Sequence, residues 1–252
     1  MAKSTVERRA AIIDQLAREG FVRVADLREQ FGCSEATIRR DLSHLESSGY
    51  LQRAHGGAFS DGQRELPVSS RVSTMAEPKQ QIAHAAAALV NEGEAVGLTG
   101  GTTTQQVARE LARGGPITVV TNALNVAMEL TRADVRLVVI GGELRERSLE
   151  LVGPLAEPVA AQIHLDVLFA GVDGISAAGG ITTHNPLEAR INGVLLERSR
   201  RVVVVADHTK LGRVTFAHIA PIDPVTDLIT DEAADEEIVG ELVAAGVNVI
   251  RA

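Results

Sequence analysis

Residues 34–57 read SEATIRRDLSHLESSGYLQRAHGG, and the spacing inside this stretch predicts a helix followed by a hairpin. Ile38, Leu42 and Leu45 fall at i, i+4 and i+7 and form one apolar stripe. Ser34 stands where an N-cap belongs, its hydroxyl able to accept from the first free N–H groups, and the helix is expected to run to about Ser48 before Gly49. At about 100° per residue, Arg40, Ser43, His44 and Ser47 point away from the stripe, with Thr37 beside them and Arg39 on the flank. Tyr50 to Gly57 then alternates apolar and polar residues before two glycines, the pattern of a small hairpin or wing.

Outward toward the N-terminus, Val6 to Glu19 carries Ile12, Ile13 and Leu16 at helical spacing and stops at Gly20. After the β-prone FVRV, Ala25 to Phe31 reads as a second short helix ending at Gly32, and Gly32-Cys33-Ser34 makes a tight turn. Two helices joined by a short turn, the second with an exposed basic and hydroxylic face, is the arrangement that lays a helix in the DNA major groove. Arginine can donate two parallel hydrogen bonds to guanine O6 and N7, whereas serine and threonine reach phosphates or other base edges. The DNA-contact candidates are therefore Thr37, Arg39, Arg40 and His44, with Arg53 and His55 in the wing. The plain alternative is that the arginines are solvated surface charges paired with Glu35 or Asp41. Asp41 is expected to hold an arginine within the protein, because a carboxylate near phosphate is repelled.

Charge supports a division of labour. The 252-residue chain has a formal net charge of -8, yet residues 1–60 hold nine Lys or Arg against eight Asp or Glu, so the acidic balance belongs to the remainder. Cys33 is the only cysteine, which excludes an intramolecular disulfide and argues against a thiolate metal cage. The seven histidines show no H-E-x-x-H and no G-x-S-x-G is present, so no metal, cofactor or serine nucleophile is expected. Aromatics make up 2% of residues, too few for base-stacking platforms. No apolar run approaches the roughly 18 residues of a spanning helix, and MAKSTVERRA lacks an apolar leader core, so a cytoplasmic place away from membranes is expected.

Residues 59–75 are polar and aperiodic and read as a linker, dividing the chain into domains at 1–58 and 76–252. From Glu77 a helix leads to Gly93, and short β-branched runs then alternate with helical stretches. Strands are expected at AVGLT (95), ITVVT (117), VRLVVI (135), DVLFAG (166), RVVVVAD (201), DLIT (227) and VNVI (247), with helices near 103–113, 123–131, 154–162, 186–199 and 233–244. Apolar strands interleaved with helices indicate a mostly parallel sheet covered on both faces. Loops after the carboxyl ends of such strands converge on one crevice. Gly100, Gly101, Thr102, Thr103 and Thr104 open a helix where free N–H groups favour an anion. Asn122, Gly141, Gly142, Asp173, Gly174, Thr182, Thr183 and Lys210 stand on neighbouring loops, the amide and carboxylate suited to hydroxyls and Lys210 to a phosphate. Each residue taken singly also has a structural reading, as a turn or a solvated charge.

The stretch SEATIRRDLSHLESSGYLQRAHGGA resembles the winged helix-turn-helix of the DeoR family of bacterial transcriptional regulators, in its T-I-R-R-D-L core (Thr37 to Leu42) and its H-G-G (His55 to Gly57), a resemblance that implies Ser34, Thr37, Arg39 and Arg40 stand on the DNA-reading helix and adds Ser34 to the DNA-contact candidates. The body resembles the family's C-terminal sensor domain in the Gly100 to Thr104 loop, VVTNALNVA (119–127), IGGE (140–143), GVDGI (171–175), GGITT (179–183), Glu188-Ala189 and ADHTKLG (206–212). The resemblance implies an α/β protein, an N-terminal winged helix-turn-helix domain plus a C-terminal mostly parallel α/β sensor domain related to ribose-5-phosphate isomerase and CoA transferases. It implies a regulator of the repressing kind that binds double-stranded operator DNA as a homodimer or homotetramer, with a phosphorylated sugar effector held by the loops above and by Glu188. One departure stands out: the family often has Asp-Ser before the Gly-Thr-Thr, where this chain has Thr99-Gly100. That departure bears on which sugar hydroxyls are recognised. The alternative function is an isomerase or CoA-transferase-like enzyme using Asp173 or Glu188 as general base. The DNA-reading head argues for sensing instead.

Overall fold

The structure is a computed structural model of the 252-residue chain and describes residues 4–19, 21–47, 50–54, 56–59, 67–72 and 74–252. Two compact units divide it, Met1–Met75 and Ala76–Ala252. In the first, α1 (Thr5–Glu19), β1 (Phe21–Arg23), α2 (Val24–Phe31), α3 (Glu35–Ser47), β2 (Gln52–Ala54) and β3 (Gly57–Phe59) follow in order. Helix α2 ends at Gly32 in the left-handed conformation, which frees the chain to turn into α3. Ile38, Leu42 and Leu45 are buried, as the stripe requires, against Ile12, Ile13 and Leu16 of α1 and Leu27 of α2. The wing has three antiparallel strands in the order β1-β3-β2, because the β-prone FVRV pairs with the hairpin. The segment expected to be an irregular linker contains a helical turn, α4 (Val68–Arg71), with Val68 buried; four residues are too few to show a period.

The second unit runs α5 (Ala76–Ala87), β4 (Ala95–Leu98), α6 (Thr102–Leu111), β5 (Thr118–Thr121), α7 (Leu124–Leu130), β6 (Arg136–Val139), β7 (Glu143–Arg145), β8 (Glu150–Val152), α8 (Glu157–Ala160) and β9 (Leu165–Ala170). It continues through β10 (Gly174–Ser176), β11 (Gly180–Thr183), α9 (Pro186–Glu197), β12 (Ser199–Val205), a 3₁₀ turn (His208–Lys210), β13 (Ala217–Ala220), β14 (Asp227–Thr230), α10 (Glu236–Ala244) and β15 (Asn248–Arg251). The seven runs expected as strands form one sheet, in the order β15-β14-β12-β9-β4-β5-β6, and every pair is parallel. Alternation along the strands feeds two cores. Val96, Leu98, Val167, Phe169, Val203 and Val205 pack with Ile82 of α5 and Val107 of α6, while Leu168, Ala170, Val202, Val204 and Leu228 pack with Leu195 of α9 and Leu242 of α10. Fully burying a side chain such as Phe169 contributes about 1.5–3 kcal/mol relative to exposure.

Three departures from expectation concern short elements. The helix expected over 154–162 covers only Glu157–Ala160. A β7–β8 hairpin and an antiparallel sheet β10-β11-β13 form where no strand was expected, β11 lying in a stretch that read as a glycine-rich turn. ELR, ELV, GIS, GITT and AHIA lack the β-branched apolar runs that mark the strands of the main sheet. No helix among the described residues is long and apolar enough to cross a membrane.

Candidate functional sites

Helix α3 begins with Ser34 as its cap. The Ser34 hydroxyl accepts from Thr37 N–H at 3.2 Å and lies 2.9 Å from Thr37 Oγ1. Arg39 is half exposed and ion-paired with Glu35 one turn earlier, at 2.7 Å. Arg40 and His44 are exposed, and among the described residues no ion pair engages Arg40. Arg53 Nη1 donates to Ser43 Oγ at 3.0 Å and its N–H to Glu46 Oε1 at 3.1 Å, so this wing residue is tied to α3. His55 lies outside the described residues. Asp41 is buried and accepts from Arg8 Nε at 2.7 Å and Arg9 Nε at 2.8 Å, holding arginines of α1 rather than its neighbours in sequence. The basic face of α3 is therefore reduced to Arg40 with Arg39 shared, while the one carboxylate at its centre is neutralised from behind.

In the sheet, the chain leaves β4 toward β5 on one side and leaves β9 toward β12 on the other. The carboxyl ends of β4 and β9 are thus a topological switch point, where an open parallel sheet forms its crevice. Thr99, following β4, accepts from Gly171 N–H at 2.9 Å and joins the two strand ends. Gly101 offers no side chain to cap α6, so its first N–H groups remain available to an anion. Asn125 Nδ2 donates to Gly101 O at 3.0 Å and Thr104 Oγ1 to the same carbonyl at 3.2 Å, which fixes the loop. Thr102 and Thr103 are nearly buried and Thr104 fully so.

Asp173, Thr183, Glu188 and Lys210 come together. Thr183 Oγ1 lies 3.0 Å from Asp173 Oδ2 and 3.2 Å from Glu188 Oε2, one hydroxyl proton between two carboxylates. Lys210 Nζ is 3.9 Å from Asp173 Oδ1, and Arg145 Nη1 donates to Glu188 Oε1 at 2.7 Å. Glu188 is presented by the first turn of α9, whose cap Asn185 accepts from Leu187 and Glu188 N–H. Asn122 Nδ2 donates to Glu150 Oε2 at 3.1 Å, and Glu150 stands over Gly100. A carboxylate therefore does reach the loop that lacks the family's Asp-Ser, supplied from β8. Asp207 is buried, which by itself raises its pKa, but Lys210, hydrogen bonds from Thr209 and the charge of Lys79 outweigh that and hold it below the usual aspartate value.

Other expected site residues are placed in the framework. Thr182 Oγ1 donates to Gly174 O at 3.3 Å and accepts from Thr215 N–H at 2.9 Å, so both Thr182 and Gly174 serve the small sheet. Gly141 and Gly142 lead into the β7–β8 hairpin, with the Gly142 backbone packed against the Val152 carbonyl. Sequence reasoning missed Lys79, Arg145, Glu150 and Asp207. Lys79 carried a signal, a buried charge three residues before Ile82 on an apolar helix face. Arg145 and Glu150 carried none, since residues 143–152 are aperiodic. The assembled array offers cationic donors at Lys210 and α6 beside acceptors at Asp173, Asn122 and Glu150, chemistry for an anion bearing hydroxyls. Among the described residues no group of three or more His, Cys, Asp or Glu is disposed to hold a metal.

Comparison with known proteins agrees with both units. Residues 8–64 match the DeoR-like helix-turn-helix domain and residues 74–232 the DeoR C terminal sensor domain. The chain is 37% identical over 247 residues to the HTH-type transcriptional regulator GlpR of Haloferax volcanii, covering 97% of this chain and 96% of that protein. It is 37% identical over 251 residues to the putative aga operon transcriptional repressor of Escherichia coli O157:H7, covering 98% and 93%. The glycerol-3-phosphate regulon repressor of Escherichia coli K12 is 34% identical over 227 residues, covering 89% and 90%. Among solved structures, ribose 5-phosphate isomerase A from Neisseria gonorrhoeae shares 20% identity over 52% of each chain at a TM-score of 0.40, an overlap that carries no inference about chemistry.

Proposed function

The chain belongs to the DeoR family of DNA-binding transcriptional regulators, and from that premise we propose that it is a repressor whose hold on DNA is set by a phosphorylated sugar or related metabolite bound at the switch point of its C-terminal unit. The observation that carries this reading is the cluster at the strand ends, where Lys210, Asp173, Thr183 and Glu188 meet beside the uncapped start of α6. Lys210 and the α6 N–H groups suit a phosphoryl group, and the carboxylates suit hydroxyls. A relative named for the glycerol-3-phosphate regulon supports the ligand class. Glu188 is held by both Arg145 and Thr183, an arrangement for binding in place rather than for a freely accepting base. Reading two half-sites about 10 bp apart, or at multiples of that spacing, requires at least a homodimer.

The test begins with glycerol 3-phosphate, ribose 5-phosphate, fructose 1-phosphate and glucose 6-phosphate in a thermal-shift screen. A ligand at about 100 times its Kd adds about 2.7 kcal/mol of stability, well within detection. The compound that stabilises the protein should change its affinity for a duplex selected from a random pool, because a ligand alters DNA binding only by favouring one state over another. Lys210→Ala should keep the DNA affinity and lose the response. Turnover of ribose 5-phosphate, or an unaltered response in Lys210→Ala, would overturn the reading.

A further inference from the structure

The side of the C-terminal unit formed by α8, α9 and β13 presents large apolar side chains to water, with Leu155 75% exposed, Val214 63% and Phe216 82%. Between α9 and β13 runs an open groove whose floor is Ala189, Gly193, Val194 and Ile219. Gly193 lets the helix lie close on the strand, since a Cβ there would stand 3.4 Å from the Ile219 carbonyl oxygen. Phe216 stands at one end of the groove, because its neighbour Ala217 pairs with Thr183 just before α9 begins. Glu197, the last residue of α9, lines the other end. Charge is divided in the same way. Arg190 is exposed near the Phe216 end and paired with Glu157 at 2.7 Å, and Arg213 is exposed three residues before Phe216. Glu197 is exposed at the far end, and among the described residues no ion pair engages Arg213 or Glu197.

An apolar knob and an apolar groove within one patch suit a twofold contact, in which the Phe216 of each copy enters the groove of the other. A twofold axis also sets the two grooves antiparallel. The arginine end of one copy then lies over the Glu197 end of its partner, and opposite charges meet at the rim. Elsewhere like charge discourages association, since Ala76–Ala252 hold 14 Lys or Arg against 23 Asp or Glu. This face instead sets Arg190 and Arg213 against Glu157 and Glu197. We infer that a second copy of the chain docks on the α9 and β13 face through an isologous contact anchored by Phe216. This rests on the dimeric reading given above, which two half-sites require.

The experiment is sedimentation equilibrium of the full-length protein at micromolar concentration, for wild type, Phe216→Asp, Val214→Asp and Met128→Asp. Met128 is 70% exposed on α7, which packs on the opposite face of the sheet from α9, and serves as the control. Melting temperatures establish that the variants fold, and Val214→Asp keeps the test open should Phe216→Asp not fold. The expected result is a wild type of two or four chains of 26.7 kDa each, a loss of half that mass or more in Phe216→Asp and Val214→Asp, and no loss in Met128→Asp. Wild-type mass in the folded Phe216→Asp, or in Val214→Asp where only that variant folds, overturns this inference and leaves the dimer in place. An equal loss in Met128→Asp does the same. A wild type that sediments as a single chain overturns the dimeric reading with it.

Discussion

Arg39 and Arg40 are adjacent and chemically identical, yet the structure gives them different duties. The Glu35 carboxylate occupies Arg39, whereas Arg40 faces solvent. Arg40→Ala should weaken binding to a selected duplex by about 1–3 kcal/mol if its guanidinium makes a bidentate guanine contact. Arg39→Ala should cost less, and equal losses by fluorescence anisotropy would mean that the pair opens on DNA. Asp207 offers a second test at this scale. Its carboxyl is buried, but Lys210, Thr209 and Lys79 more than offset that, so its folded pKa lies below the unfolded value. A carboxyl shifted down binds fewer protons in the native state. The stability it lends is complete above the unfolded value of about 3.9 and is lost as pH falls through the folded one. The melting-temperature gap between wild type and Asp207→Asn should therefore shrink as pH falls from about 5 toward 2; parallel curves would remove Asp207 from the linkage.

Elements act here mainly as presenters of side chains. Helix α9 starts with Asn185 accepting two backbone N–H groups and Pro186 in its first turn, and that start sets Glu188 against Thr183. Asn185→Ala should cost about 1 kcal/mol of stability, within a range of about 0.5–2, and loosen Glu188. Chemical denaturation measures the first effect, and an unchanged midpoint would show that Pro186 alone holds the turn. The β7–β8 hairpin does similar work with six strand residues, delivering Arg145 and Glu150 from opposite strands to two different partners. Helix α6 contributes by its bare start, since Gly101 leaves the first N–H groups without a side-chain cap.

At the scale of the molecule, each unit owns its core. Ile12, Leu27, Ile38 and Leu42 close one, and the two faces of the seven-stranded sheet close the others. Stability of the first unit leans on Asp41, which is buried with two arginines on it. Asp41→Ala removes the carboxylate that both guanidinium groups hold. Breaking a buried pair costs about 3–5 kcal/mol, and the partial exposure of Arg9 places the expected loss at the lower end. Scanning calorimetry should show the transition of the N-terminal unit moving down while that of the C-terminal unit stays. A common shift of both would show that the two units melt as one.

What the sequence determined by itself was everything carried by local period. The i, i+4, i+7 stripe of α3, the cap at Ser34 and the seven β-branched runs were legible because a helix imposes a period of about 3.6 residues and a strand buried on both faces reads as a continuous apolar run of about 4–8 residues. That loops follow the carboxyl ends of parallel strands came from the alternation of strands and helices, while the strand order that makes β4 and β9 the switch point came from the tertiary structure. The single turn α4 and the short strands outside the main sheet, β7, β8, β10, β11 and β13, were not legible, and neither were the partners that decide the site. Asp41 finds Arg8 and Arg9 at 33 and 32 residues' distance, Arg145 finds Glu188 at 43, and Asn122 finds Glu150 at 28. Only the tertiary structure decides such pairs, because which side chains meet depends on how the sheet crosses over and how a hairpin is seated upon it, and no local spacing encodes either.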